Sequence, residues 1–312
     1  MFEIKRYTSD LKSDWDSFIQ KSKNGTFLLL RDYMDYHSDR FDDSSFLFYK
    51  KNRLEAVIPG NIKDKTFFSH QGLTYGGLIQ STKLSTIDVL TIFTILNQNL
   101  QDIGIERVVY KPIPLIYHQI PAQEDIYALF KLNAVKIGCN ISSTIFQDNK
   151  IRFNELRRRG VKKSSNTGVT IVESNQFDTF WLILNQNLEN KYNKKAVHSL
   201  DEINALKDTF PNNIKLYTAL KDNETIAGVV LYLTESVVHV QYIAANEHGK
   251  SLGALDYLFN HLINDNLFTI KIFDFGQSTE DMGKYLNENL IFQKEGFGGR
   301  GIIYEVYEYF IN

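Results

Sequence analysis

The sequence predicts an α/β (α+β) chain in which one design, a mixed and mostly antiparallel sheet flanked by helices, is written twice. Three observations carry this expectation. The 312 residues suit two domains of ordinary size better than one. The order of strand and helix patterns after residue 214 repeats the order after residue 46. With 43% hydrophobic and 23% charged residues, the chain has enough apolar side chains to fill two cores.

The second copy is the easier to follow. Ile214 to Leu220 alternates as a strand, Asp222-Asn223-Glu224 turns, and Thr225 to Leu233 returns as a buried strand. Val237 to Ala244 forms a third strand, and a polar loop runs from Asn246 to Ser251. Leu252, Leu255, Phe259 and Leu262 then fall at helical spacing, predicting a helix to about Asn264. Ile270 to Phe275 is a strand ending at Gly276, a short helix is expected near Glu280 to Asn289, and Ile302 to Tyr309 closes the copy.

In the first copy, Phe46 to Tyr49 and Leu54 to Ile58 form a hairpin about Lys51-Asn52-Arg53, and a third extended stretch surrounds Phe67-Phe68. Ser85 is placed to cap a helix whose Val89, Phe93, Leu96 and Leu100 share a face, with Gly104 beyond its end. Arg107 to Tyr110 follows as a strand, and Glu124-Asp125 opens a short helix as Glu280-Asp281 does. Leu96-Asn97-Gln98-Asn99-Leu100 echoes Ile263-Asn264-Asp265-Asn266-Leu267 at the matching helix end. The junction is expected between residues 148 and 165, giving domains at 1–150 and 151–312.

Composition narrows the function classes. One cysteine, Cys139, cannot pair within the chain, and the opening residues carry no signal-peptide apolar core; a reducing, cytoplasmic setting is expected. No apolar run approaches the length of a membrane span. A net charge of −2 gives no overall attraction to nucleic acid. Seven histidines are scattered without ligand-like spacing, so no metal site is expected. One basic run stands out: Lys150, Arg152, Arg157, Arg158, Arg159, Lys162 and Lys163. It suits a tRNA backbone, a nucleotide-sugar pyrophosphate or anionic lipid headgroups at a membrane surface, and equally a solvated face.

Two motifs point to a family. Phe273-Asp274-Phe275-Gly276, followed by Lys294-Glu295-Gly296-Phe297-Gly298-Gly299, resembles the end of the second domain in Fem-type (FemABX-like) transferases. Asn24-Gly25-Thr26-Phe27-Leu28, leading to Tyr33 and His37, resembles the family's opening. The resemblance implies two tandem GNAT-like domains side by side with a groove between them, the first binding acceptor and the second binding donor and carrying out transfer. It implies an acyltransferase acting on an amine of a cell-wall or surface-glycan precursor. The donor is acyl-CoA or aminoacyl-tRNA. A sustained heptad arm, found in some Fem enzymes, is absent here. The loop Asn246 to Ala254 carries glycines where CoA-using GNAT enzymes cradle pyrophosphate, but irregularly. A non-catalytic pair that only binds such a precursor is the alternative.

Candidate residues follow. Lys294 is placed to stabilise charge on the acyl carbonyl or to hold a phosphate, or else is a surface lysine paired with Glu295. Asp274, at a strand's C-terminal end, is a base or orienting group for the amine, or a turn cap. Tyr242 is a candidate acid for the leaving group, and His239 with Gln241 a candidate acceptor-binding wall, against an ordinary packing role for each. Gly249, Lys250 and Gly253 form a candidate anion cradle for the donor, or an ordinary loop. Arg31, His37, His70, Tyr75 and Lys111, with Arg157 from the basic run, complete the candidate substrate contacts; turn glycines 72, 76 and 77 also suit a plain loop.

Overall fold

The computed structural model describes residues 1–265 and 267–311, with the backbone alone at 37 and 192. In chain order the strands and helices are β1 (Phe2–Arg6), α1 (Lys12–Lys21), α2 (Arg31–Met34), β2 (Phe46–Lys50), β3 (Arg53–Ile58), β4 (Asn61–Lys63), β5 (Thr66–Phe68), β6 (Ile79–Gln80), α3 (Thr86–Asp102), β7 (Arg107–Tyr110), α4 (Glu124–Lys131) and β8 (Val135–Phe146). There follow α5 (Glu155–Asn166), β9 (Thr170–Ser174), α6 (Phe177–Tyr192), α7 (Leu200–Thr209), β10 (Ile214–Lys221), β11 (Glu224–Leu233), β12 (Val237–Ala245), α8 (Glu247–Leu252), α9 (Ala254–Asn264), β13 (Ile272–Gln277), β14 (Thr279–Glu280), β15 (Tyr285–Leu286), α10 (Glu288–Gly296) and β16 (Arg300–Phe310). Among the described residues no helix is long and apolar enough to cross a membrane.

The chain divides into two compact units. The first comprises residues 1–141, 279–285 and 303–312. Its strands β1, β2, β3 and β6 form one sheet, all antiparallel, while β5 runs parallel to β7 over Thr66–Phe68 and β7 pairs antiparallel with β16. Helix α3 starts where expected: the Ser85 hydroxyl accepts from the Asp88 amide and the Asp88 carboxylate accepts from the Ser85 amide, which satisfies two otherwise orphaned donors. Its face Val89, Phe93, Leu96 and Leu100 is buried with Phe48, Ile58, Phe67 and Val108.

The second unit comprises residues 142–278 and 286–302. Its strand order is β8-β13-β12-β11-β10-β9, with β12 parallel to β13 and the other pairs antiparallel. Leu258, Phe259 and Leu262 of α9 pack with Val229, Leu231, Phe273, Phe275 and Phe297 in its core. The two units repeat one order, hairpin, short parallel pair across a helix, then a further helix and strand.

The units are not cut where the sequence places the junction. They change at 141/142, and residues 303–310 of β16 pair with β7 in the first unit, while residues 142–146 of β8 pair with β13 in the second. Each repeat's closing strand therefore completes the other unit's sheet, an exchange that leaves no trace in hydrophobic period. Three local differences also appear. The polar stretch after Asn246 forms α8, capped by the Asn246 side chain, and ends at Gly253 with φ +73°. That break restarts the helix as α9 and rotates its buried face to Leu258, Phe259, Leu262 and Ile263, leaving Leu252 and Leu255 half-buried. Glu280-Asp281 begins only a single tight turn, and the helix lies later, as α10.

Gly253 is needed twice over. Its φ lies in the left-handed region, and a Cβ there would sit 3.0 Å from the backbone of Gly160 on α5. Gly253→Ala is expected to cost about 1–3 kcal/mol and to lower the thermal midpoint by several degrees in a scanning melt, without altering secondary-structure content.

Candidate functional site

Two parallel strands that part company create the second unit's site. β12 and β13 share a ladder only at Val237/Ile272, Val238/Phe273 and His239/Asp274. Beyond these residues β12 continues against β11, and β13 continues against β8. A bulge at Gln241, between the Val230/Tyr242 and Leu231/Val240 pairs, bends β12. A second bulge lies in β13 between Asp274 and Gln277, where Gly276 has φ +75°. A wedge of unpaired backbone therefore opens at the point where His239 and Asp274 stand side by side.

Asp274 is fully buried. Its Oδ1 accepts from the Ser142 hydroxyl at 2.5 Å and the Thr144 hydroxyl at 2.7 Å, and its Oδ2 lies 2.8 Å from His239 Nδ1. Burial alone pushes this carboxyl up; the hydrogen bond and charge of His239, with the two hydroxyls, outweigh it and hold Asp274 below its ordinary value of 3.8. An ionised carboxylate only accepts, so His239 Nδ1 carries the proton and donates. The histidine ring lies close over β13: a Cβ on Gly276 would come within 3.3 Å of His239 Cε1.

Lys294, near the end of α10, turns inward and is 7% exposed. Its Nζ donates to the carbonyls of Gly276 and Gln277, both at 2.8 Å, and so pins the bulged end of β13. Burial lowers its pKa to about 8, opposed by the charge of Asp274. The ring of Phe275 stacks on Phe297 at 5.7 Å, which joins the two sequence motifs through the core. His239, Asp274 and Lys294 thus form one cluster.

Comparison with known proteins decides the fold. Residues 153–283 match the acetyltransferase (GNAT) domain family model. The structure of FemX superposes with a TM-score of 0.70 at 10% identity, covering 99% of this chain and 98% of that one. A C-terminal domain assigned to a lysylphosphatidylglycerol synthetase from Agrobacterium fabrum gives 0.62 at 12% identity, covering 98% and 92%. A tandem GNAT protein from the clavulanic acid biosynthesis pathway gives 0.53 at 8% identity, covering 100% and 99%. This is a Fem-like tandem GNAT fold. No curated protein sequence matches the chain.

The remaining candidates of the second GNAT-like unit make contacts of their own. Tyr242 is buried, and its hydroxyl bonds His198 Nδ1 at 2.5 Å and accepts from the His198 amide at 3.2 Å, with Trp181 edge-on to its ring. Burial pushes its phenol up to about 12. Gln241 is half-buried at the bulge. The Gly249 amide donates to Asn246 Oδ1, a Cβ on Gly249 would lie 2.2 Å from the Ile226 carbonyl, and the Gly253 amide donates to the Lys250 carbonyl. Lys250 Nζ pairs with Glu247 and Asn187. Arg157 is bound to Asp256 at 2.7 Å and lies over the Phe297 ring.

In the first GNAT-like unit, Lys111, Tyr75 and His70 belong to one loop system past the β5/β7 pair. The Lys111 amide donates to Ser69 Oγ, its carbonyl accepts from Gly76, and its Nζ reaches the Leu73 carbonyl. Burial lowers Lys111 to about 8. Tyr75 bonds Thr26 and packs on Tyr117; His70, with φ +66°, packs on Phe41. Arg31 lies elsewhere, 2% exposed, bound to Asp35 and Asp43 and stacked 3.8 Å over Tyr7. The His37 side chain lies outside the described residues. Sequence reasoning missed Ser142 and Thr144; the hydroxyl run Ser142-Ser143-Thr144, buried just before Ile145 near the end of β8, is the signal that marks them.

Removing Asp274 tests the electrostatics. Asp274→Ala is expected to lower the unfolding free energy by about 3–5 kcal/mol at pH 7, because it strands buried donors, and Asp274→Asn by less. Asp274's folded pKa is depressed, so its contribution is complete above its ordinary 3.8 and fades as pH falls through the lowered value. Urea titrations should therefore show the gap between wild type and Asp274→Ala narrowing below that pH.

Proposed function

We propose that the protein is an acyltransferase that moves an acyl or aminoacyl group directly onto an amine, with His239 as the general base. The observation that carries this reading is the pairing of buried Asp274 with half-buried His239 at the mouth of the β12/β13 wedge, within the segment that matches a GNAT acetyltransferase domain. The likeness to FemX and to a lysylphosphatidylglycerol synthetase domain supports transfer of acyl-type groups in general terms.

In this reading Asp274 fixes the tautomer of His239, leaving Nε2 as the acceptor of a proton. The amine attacks the donor's carbonyl carbon, a C–N bond forms, and its proton passes to His239. The carbonyl oxygen regains its double bond as the C–S or C–O bond to the donor breaks, and His239 returns the proton to the leaving group. Lys294 holds the bulged backbone of β13 in place and adds positive charge beside the centre while it is protonated.

The donor is acyl-CoA or aminoacyl-tRNA. The family match at residues 153–283 supports the first, and the cationic segment 150–163 supports the second. The acceptor is an amine on a cell-wall or surface-glycan precursor, held by the first unit through the loops carrying His70, Tyr75 and Lys111. These assignments, with a cytoplasmic setting and peripheral contact with the membrane surface, extend the Fem-type resemblance to this chain.

Incubation with acetyl-CoA or with charged tRNA and a panel of amino-bearing precursors, read by mass spectrometry, is expected to show an acylated amine with one donor. Precursor binding without product from either donor would instead make this a binding protein. His239→Ala should reduce kcat by about 10²–10⁴-fold with KM for the donor little changed. The rate should fall as pH rises through about 8, where Lys294 loses its proton, and Lys294→Met should remove that limb of the profile.

A further inference from the structure

The segment from Lys150 into α5 meets the C-terminal half of α9 around a hollow of about 330 Å³, separate from the His239–Asp274 cluster. Lys150, Arg152 and Arg158 supply cations, Phe153 and Val161 an apolar floor, and Asn260 and Asn264 amide groups. We propose that this hollow is a nucleotide site, taking a phosphate on its cations and a base or similar planar amide edge on the asparagines.

The charge balance supports an anion. Segment 150–166 holds seven cations and the single carboxylate Glu155, which is already shared between Arg158 and Arg159. Neighbouring carboxylates are also engaged, Asp148 with Lys271 and Asp265 with His261, while Arg157 is bound to Asp256. Arg152 is exposed and makes no hydrogen bond or ion pair among the described residues. Among the described residues Lys150 Nζ reaches only the Ile263 carbonyl, at 3.5 Å. Guanidinium groups in such a setting fit phosphate oxygens in pairs.

The asparagines argue for more than phosphate. Asn264 Nδ2 donates to Asn260 Oδ1 at 3.1 Å, which aligns the two amides and leaves one amide nitrogen and one carbonyl oxygen to bond a ligand. A donor beside an acceptor matches the edge of a nucleobase. The hollow's size falls in the range of small-molecule sites, and Phe153 is held firm by edge-on contact with Phe297.

Isothermal titration of the full-length protein with AMP, adenosine and inorganic phosphate tests the assignment. AMP is expected to bind one-to-one and more tightly than either part alone. Arg152→Ala with Arg158→Ala should weaken AMP at least tenfold. Asn260→Asp, which adds a repelling charge without emptying the space, should weaken AMP as well. His239→Ala should leave AMP binding unchanged, which separates this site from the transfer reading. Competition of CoA with AMP would identify the nucleotide as the donor's own handle, and binding of both together would identify a separate ligand; either supports a nucleotide site. No AMP binding at millimolar concentration, or binding indifferent to both sets of substitutions, would overturn it.

Discussion

The second unit depends on keeping one carboxylate ionised in its interior. Taking Asp274 out of water costs several kcal/mol unless its oxygens are met by donors, and two neighbouring strands supply them. Ser142 and Thr144 come from β8 and His239 from β12, flanking Asp274 on β13 from either side. The hydrogen bonds hold together the stretch of sheet where the backbone ladder between β12 and β13 ends. They also orient the histidine, since a carboxylate that can only accept decides which ring nitrogen carries the proton. Stability and chemistry therefore rest on the same contact.

The wedge beside this contact comes from backbone irregularity. A bulge at Gln241 and a left-handed Gly276 turn the two strands away from each other, and Lys294 holds the carbonyls of Gly276 and Gln277. The first unit repeats the short parallel pair, β5 with β7, but fills the surroundings differently. There Tyr110 bonds the buried Asp125, whose pKa burial raises to about 7 despite that bond, and Lys111 closes onto the loop that follows β5. One topology has come to support a histidine–aspartate pair in one unit and a tyrosine–aspartate pair in the other.

Much of this was legible in the sequence, and the limits have physical causes. Hairpin strands and α3 announce themselves through alternation, turn residues and a capping serine, all local signals. Asp274 and Lys294 stood out because the motifs around them resemble a known family, and their meeting in space follows from Phe275 stacking on Phe297. The partners Ser142 and Thr144 were not legible. They sit on the strand that closes the first repeat yet pairs in the second unit, and long-range pairing of this kind has no signature in local period. Helix α8 has the sequence of a loop, because its six residues are mostly polar and owe their start to the Asn246 cap. The hydroxyl of Tyr242 is held by His198, more than forty residues earlier, a partner that no local pattern announces.

The central claim is that Asp274 sets His239 up as a base, and nitrogen-15 NMR of the imidazole tests it most directly. For the neutral form of the ring the account predicts the proton on Nδ1, donated to Asp274, and loss of that preference in Asp274→Asn. A ring protonated at Nε2 in the wild type, or a tautomer balance that Asp274→Asn leaves unchanged, would contradict it.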